Sequence, residues 1–539
     1  MSTTESIQEI SQAELDALIE RVELAIDNEL SLSIEDMKLL LLAIHSLSLL
    51  QQKIEDKEIT LYKLRKLLGM VKQSEKRGLM TRSGSQAKSR KNKSNNTREK
   101  RAKKPPQVEY HALTNFKRGD VCPECHRGKL YKFEPGRLLR VSGHGPFEAT
   151  QHITERVRCN ACQEVITAKL PESVLADGEA NQQYGYSARA LMALNKFYSG
   201  LPYYHQSNVS DLFGFSISAS TVFDQCEYLA NAVMPVYYVL KKIASNAKLF
   251  LLDDTPHRIL EQQPEERANR NGRGTRIRTG VYSSGIVAYT EAGQGIVLFE
   301  TSLGHAGEFI DELLKKRDST LPRPLVMSDA LSSNTPSVMA VHQAYCNSHC
   351  RREFFEIQHL KPEAIDWLLD QYGKIWENEA FIKKQNLDEK TRWMHHQQHS
   401  KPVMEEIKTW ALSQQAAETF EEHSGFGKAI KYLLKHFDKL SCFYQLPGVP
   451  IDNNRMEETL KLIIRSRKTC HFFKTVNGAG VANVLTSLIG TGMRADINLF
   501  DYLTVLQRHA DGVRAHPNAW LPWNYLDTLA ATEKIKKAA

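Results

Sequence analysis

Three acidic residues and four cysteines carry the chemistry legible in this chain of 539 residues. Asp253, with Asp254 beside it, closes the apolar run KLFLLDD. Asp329 closes a second, PRPLVMSDA, and Glu457 stands in IDNNRMEETLK. Singly, an Asp at a strand end suits a turn and a Glu suits an exposed helix face. Together, in strand, strand, helix order, they suit a shared cation site. Mg²⁺ and Mn²⁺ take oxygen ligands, and two such ions can activate a hydroxyl while steadying the oxygen that leaves phosphorus. The chemistry this predicts is metal-dependent phosphoryl transfer by Asp253, Asp329 and Glu457.

The cysteines form two tight pairs, Cys122 with Cys125 and Cys159 with Cys162, each C-x-x-C. Four thiolates at that spacing predict a tetrahedral structural Zn²⁺ of the zinc-ribbon kind, which leaves no open coordination position for catalysis. The basic residues point to a polyanion. Lys461, Arg465 and Lys468 follow Glu457 at offsets of four, eight and eleven, which puts them on its helix face. Phosphates flanking a reacting bond are held by such groups. Arg351 and His349, in YCNSHCRREFF, are further candidates for DNA or site contacts.

Elements must position these groups. KLFLLDD and PRPLVMSDA read as buried strands, apolar on both faces. GIVAYT and GIVLFET read as a hairpin closed by EAGQ, and HAGEFIDELLKKR as an amphipathic helix. The order predicts three antiparallel strands, a helix, then further strands in a βαβ-like arrangement, and residues 360–445 read as helical. Asp254 and Glu458 neighbour the candidate carboxylates but fall one step off, on the other side of strand or helix. Asp452, Asn453 and Asn454 are residues that cap helix starts.

Upstream, residues 187–245 read as helical, and YYHQSNVSDLFGF followed by SISASTVFDQCEYLANAV has the outline of a helix-turn-helix, with Gly214 in the turn and Ser218 near the second helix's start. Residues 34–71 read as one helix, opened by Ser33 and Asp36 as a capping box. Leu40, Leu47, Ile54, Leu61 and Leu68 recur every seven residues, with Ala43, Leu50, Leu64 and Val71 three further on and Lys57 interrupting the second row. That pattern predicts a coiled coil and self-association. Residues 76–107 hold twelve Lys or Arg and one Glu among Ser, Asn, Gln and Pro, a composition that cannot build a core and predicts a disordered basic tether. The chain's formal net charge is +8. The start, MSTTESIQEI, lacks the basic and apolar regions of a signal peptide, and the run MKLLLLAIHSLSLL is too short to span a bilayer. The expected setting is the cytoplasm, at the nucleoid, with no membrane partner.

Several of these stretches together resemble the IS-66 family of insertion-sequence transposases, members of the DDE group with an RNase H-like fold. LLDDTPHRIL is similar to the family's first-carboxylate segment, YCNSHCRREFF to its Cys/His–Arg–Arg–aromatic segment, and IDNNRMEETLK to the segment holding its catalytic Glu. RSRKTCHFF and LPWNY resemble later motifs. The resemblance implies catalytic roles for Asp253, Asp329 and Glu457, although SDALSSN stands where the family has an Asp followed by Gly and an aromatic. It implies binding of terminal inverted repeats and target DNA, an oligomer, and small accessory proteins encoded by the same element.

The expected architecture is multidomain α+β: a helical, coiled-coil region at 1–75, the basic linker at 76–107, and a zinc ribbon at 108–175. A helical DNA-binding region follows at 176–246, then an RNase H-like core at 247–510 carrying a helical insertion at about 360–445, and a tail at 511–539. Two other readings share these residues: an RNase H-like endonuclease outside transposition, and a DNA-binding domesticated transposase without cleavage.

Overall fold

The computed structural model describes residues 145–158, 165–179, 181–268, 274–417 and 420–538, with 18, 21, 22, 24, 25, 32–41, 120, 121 and 129 besides. The four paired cysteines, the basic linker and the heptad positions beyond Leu40 lie outside the described residues. The chain divides into two units, Met1–Asn96 and Thr97–Ala539. In the first, a helix begins at residue 34. Ser33 Oγ accepts from Asp36 N–H at 3.0 Å and donates to Asp36 Oδ2 at 2.7 Å, so the expected cap forms.

In the second unit, five strands make a mixed sheet. These are β1 (Leu249–His257), β2 (Val281–Tyr289), β3 (Gly295–Ser302), β4 (Leu325–Ser328) and β5 (His342–Tyr345), in the order β3-β2-β1-β4-β5. β1 pairs antiparallel with β2, and β2 with β3, while β4 runs parallel to both β1 and β5. The EAGQ turn closes the β2–β3 hairpin, with Gly293 at φ 78°, a conformation glycine adopts without steric cost. A two-stranded side hairpin, Glu265–Ala268 with Thr275–Arg278, fills the basic stretch between β1 and β2.

Both faces of the sheet are covered. Side chains alternate across a strand, so Phe250 and Leu252 of β1 enter one apolar cluster while Leu249 and Leu251 enter the other. The first is built with α1 (Ala219–Ser245), α2 (Ala306–Leu314) and α7 (Val476–Arg494). The second is built with α3 (Asn347–Glu356), α4 (Pro362–Gln385), α5 (Gly425–Leu440) and α6 (Asn454–Cys470). Leu229 and Val233 of α1 share their cluster with β1, β2 and β3, and so do Trp520, Leu521 and Tyr525. The helical region before β1 and the segment after residue 510 therefore pack into the core that also holds the sheet.

The expected turn before α1 is present. Helix Tyr203–Leu212 ends ahead of Gly214 at φ 81°, and Ser218 caps α1 by accepting from Thr221 N–H at 3.1 Å. One edge of the sheet is closed by side chains. Asn483, Ser487 and Thr491 of α7, four residues apart and on one helix face, accept from the backbone N–H groups of Thr301, Phe299 and Val297 at 3.0, 2.9 and 3.0 Å. This satisfies donors of β3 that would otherwise offer a strand edge to another chain. Among the described residues no helix is long and apolar enough to cross a membrane.

Candidate active site

Alternation along β1 separates the two adjacent aspartates. Asp253 shares its face with Leu249 and Leu251, the side covered by α3 and α6. Asp254 projects the other way, where its Oδ2 meets His305 Nδ1 at 2.8 Å and Ala306 N at 3.4 Å. Asp254 thereby fixes the start of α2 rather than joining the cluster on the opposite face.

Opposite Asp253 in the antiparallel register lies Gly285 of β2. A Cβ there would strike Met456 Cε and stand 2.9 Å from Phe299 Cε1. The missing side chain lets α6 lie close against the sheet and brings Glu457, next after Met456, toward the end of β1. The residues before α6 lock that placement. Asn453 is not a side-chain cap: its Nδ2 donates to the carbonyl of Leu252 at 2.7 Å, beside Asp253. Its N–H donates to Cys346 Sγ at 3.1 Å. The Ile451 carbonyl accepts from Asn347 Nδ2 at 3.0 Å, and Asp452 accepts from Asn454 N–H at 3.1 Å and from Trp376 Nε1 of α4 at 2.9 Å. The IDNN segment is thus a knot joining β1, α3, α4 and α6.

Asp329 follows β4, the parallel neighbour of β1. Its Oδ1 accepts from Asn334 Nδ2 at 2.9 Å and Leu331 N–H at 3.3 Å, so the SDALSSN turn orients the carboxylate by wrapping round it. Burial raises the Asp253 carboxyl to about 7, and the negative charge of Asp329 pushes in the same direction. A hydrogen bond from the Asp254 N–H opposes them, while the charge of Glu457 adds to the rise. The charges of Asp329, after β4, and Glu457, on α6, thus both reach Asp253 at the end of β1.

Around Glu457 the groups are short of partners. His349 Nδ1 stands 3.7 Å from Glu457 Oε1, and both atoms are buried without a hydrogen bond. Cys346, His349 and Glu457 present ligand atoms all within 4.8 Å of one another. Burial lowers the His349 imidazole, the proximity of Glu457 opposing it, and raises the Cys346 thiol to about 12. A neutral imidazole beside an unpartnered carboxylate oxygen is a donor set suited to a cation. The thiol is already committed to Asn453.

The basic residues sort differently from their spacing. Lys461 and Lys468 are exposed, whereas Arg465 donates to the Tyr198 carbonyl and lies over the Tyr198 ring at 5.9 Å. Arg467 instead ties α6 to β1, donating to Thr255 Oγ1 and the Pro256 carbonyl at 2.6 Å each. Arg351 is half-buried over the Phe355 ring, and it is Arg352 that reaches Glu457, Nη2 to Oε2 at 3.5 Å. Residues three apart share a helix face, so His349 and Arg352 look the same way and Arg351 does not. That periodicity was available in the sequence. Glu458 is exposed.

The family model described as "Transposase IS66 family" matches residues 181–481, more than half of the chain. The chain belongs to the IS66 family of transposases. The matched span runs from the helices before β1 through α6, so it includes all three carboxylates of this IS66 transposase. Two curated relatives from Sinorhizobium fredii (strain NBRC 101917 / NGR234) are similar over much of their length. "Uncharacterized protein y4hP" is 24% identical over 406 residues, 72% of this chain and 70% of the relative. "Uncharacterized protein y4jD" is 25% identical over 392 residues, 69% and 72%.

Proposed function

We propose that this IS66-family chain is a DDE-type DNA transposase that binds the terminal inverted repeats of its element and catalyses cleavage and strand transfer, with Asp253, Asp329 and Glu457 as the catalytic carboxylates. The observation that carries the reading is that Asp329, after β4, and Glu457, on α6, both lie near enough to Asp253 of β1 for their charges to raise its carboxyl. The sheet order β3-β2-β1-β4-β5, with its first three strands antiparallel and the rest parallel, supports an RNase H-like core.

The residues fit divalent cations. Asp253 is a carboxylate whose charge is disfavoured until a positive partner arrives, and Glu457 Oε1 is a buried acceptor without a donor. Mg²⁺ or Mn²⁺ held by these carboxylates would supply a lowered pKa for attacking water and charge stabilisation at phosphorus. His349 Nδ1 stands 3.7 Å from Glu457 Oε1, and Arg352, partly exposed, offers its remaining donors to a phosphate oxygen. Water attacks the phosphodiester at the element's end and the P–O3′ bond breaks; the freed 3′-hydroxyl then attacks a target phosphodiester, whose own P–O3′ bond breaks and releases the target strand's 3′-hydroxyl. The attacking groups are water and a DNA hydroxyl, neither of them from the protein, so no covalent protein–DNA bond is needed.

Zn²⁺ on Cys122, Cys125, Cys159 and Cys162 belongs to the same reading. It is supported by the pairing of Arg156–Arg158 with Val165–Thr167, which brackets the second cysteine pair, and by the bridge of Val121 to Lys129, which brackets the first. An oligomer, expected because two element ends must be joined, rests on the heptads.

Glu457→Gln tests the central assignment. It keeps the size and loses the charge, so strand transfer with Mg²⁺ should fall by about a thousandfold or more while DNA binding persists. Unchanged transfer would remove Glu457 from the site.

A further inference from the structure

A groove of about 1180 Å³ opens beside the carboxylates. Its inner end is marked by Ala330, next after Asp329, and by Tyr345, next before Cys346. Three separate segments wall it: the side hairpin through Arg276, the 330–337 loop through Ser332 and Thr335, and α5 of the helical insertion through Lys435 and Lys439. Four Lys or Arg line it against two acidic residues, Glu308 and Asp438, and Glu308 is already engaged by Arg278.

The two ends of the basic set differ in a useful way. Arg276 and Lys435 are exposed, with no side-chain hydrogen bond or ion pair among the described residues. Lys439 is positioned, its Nζ donating to the Tyr345 hydroxyl at 3.1 Å and lying 4.7 Å over the same ring. Burial lowers the imidazole of His436, and the charges of Lys435 and Lys439 press the same way; on the wall formed by α5 these two lysines outnumber the one acidic residue, Asp438. Hydroxyls of the 330–337 loop add neutral donors.

We infer that this groove holds the backbone of the DNA strand leading away from the scissile phosphate, gripped by Arg276, Lys435 and Lys439, so that the helical insertion is a clamp on the substrate. The inference rests on the active-site reading above, because a strand cut at Asp253, Asp329 and Glu457 must leave along the adjoining surface. Each strand of a duplex offers one phosphate per about 3.4 Å of helix axis, and cations spread along a groove from three segments match a repeating charge better than they match one small anion.

The test is binding of a fluorescein-labelled forked DNA of arbitrary sequence by the full chain, followed across a salt series. Lys435→Glu and Arg276→Glu are compared with Lys428→Glu, which makes the same charge change on α5 outside the groove. Both groove variants should bind several-fold more weakly, with the slope of log affinity against log salt reduced by about one for each phosphate no longer neutralised, while Lys428→Glu stays at the wild-type value. Thermal melts check that these exposed substitutions leave the fold intact. Groove variants that bind as Lys428→Glu does would overturn the inference. Binding is read without cleavage. A wild-type chain that binds but never cuts therefore counts against the carboxylate assignment, and the groove result is decided separately.

Discussion

Asp253 is a carboxylate that the fold keeps partly against its charge. Burial first, and Asp329 second, raise its folded value to about 7 from an ordinary 3.8. The raised value means that the folded state holds a proton the unfolded chain gives up. Stability from this group is full below about 3.8 and is lost as pH rises through about 7. Asp253→Asn should therefore melt above the wild type at pH 8 in chelator, the gap closing on acidification, and Mn²⁺ should raise the melting point of the wild type more than that of the variant. An Asn variant that melts lower at pH 8 would show that the charge is not strained. At this scale the sequence spoke clearly for three carboxylates in strand and helix contexts. For Arg351, over the Phe355 ring, and Arg465, bonded to the Tyr198 carbonyl, the contacts depend on what packs against each helix face.

The insertion between Asp329 and Glu457 has its own polar anchor. Glu379 of α4 is buried, which alone would raise its carboxyl. A hydrogen bond from His396 and the charges of Arg392 and Lys383 outweigh that and hold it at about 2, below its ordinary 4.5. Arg392 Nε and His396 Nε2 each stand 3.0 Å from Glu379 Oε2. Removing one partner of a buried pair leaves the other uncompensated, so Glu379→Ala should cost about 3 kcal/mol at pH 7. A depressed folded value stabilises above the unfolded one, so the penalty should shrink as pH falls from 4.5 toward 2. Urea melts at several pH values check both statements, and a pH-independent penalty would mean that only packing was lost. The helical content of this region was readable from periodicity. Its four-residue polar knot was not, since Glu379, Arg392 and His396 meet only after α4 and the next helix, Glu389–His395, turn back on each other.

Across the whole second unit, one sheet is buried between two apolar clusters drawn from residues before, within and after the strands. Tyr502 donates to the Trp520 carbonyl at 2.9 Å, and Trp520 is 3% exposed. Trp520→Ala should cost about 3–5 kcal/mol through the cavity it leaves. The melting of the carboxylate end should fall together with it, because the cluster holding Trp520 and the cluster under α6 lie on opposite faces of the same strands. Two separated melting steps in calorimetry would refute that coupling. The sequence by itself determined the five core strands in their chain order and the amphipathic helices, because periodicity and end signals are local; it did not reveal the side hairpin Glu265–Ala268 with Thr275–Arg278 or the order of strands in the sheet. Only tertiary structure decided that Gly285 admits α6, that Asn453 bonds a strand instead of capping a helix, and that His349 and Arg352 join Glu457. Those outcomes depend on packing between segments distant in the chain, where a single absent Cβ sets how close a helix can come.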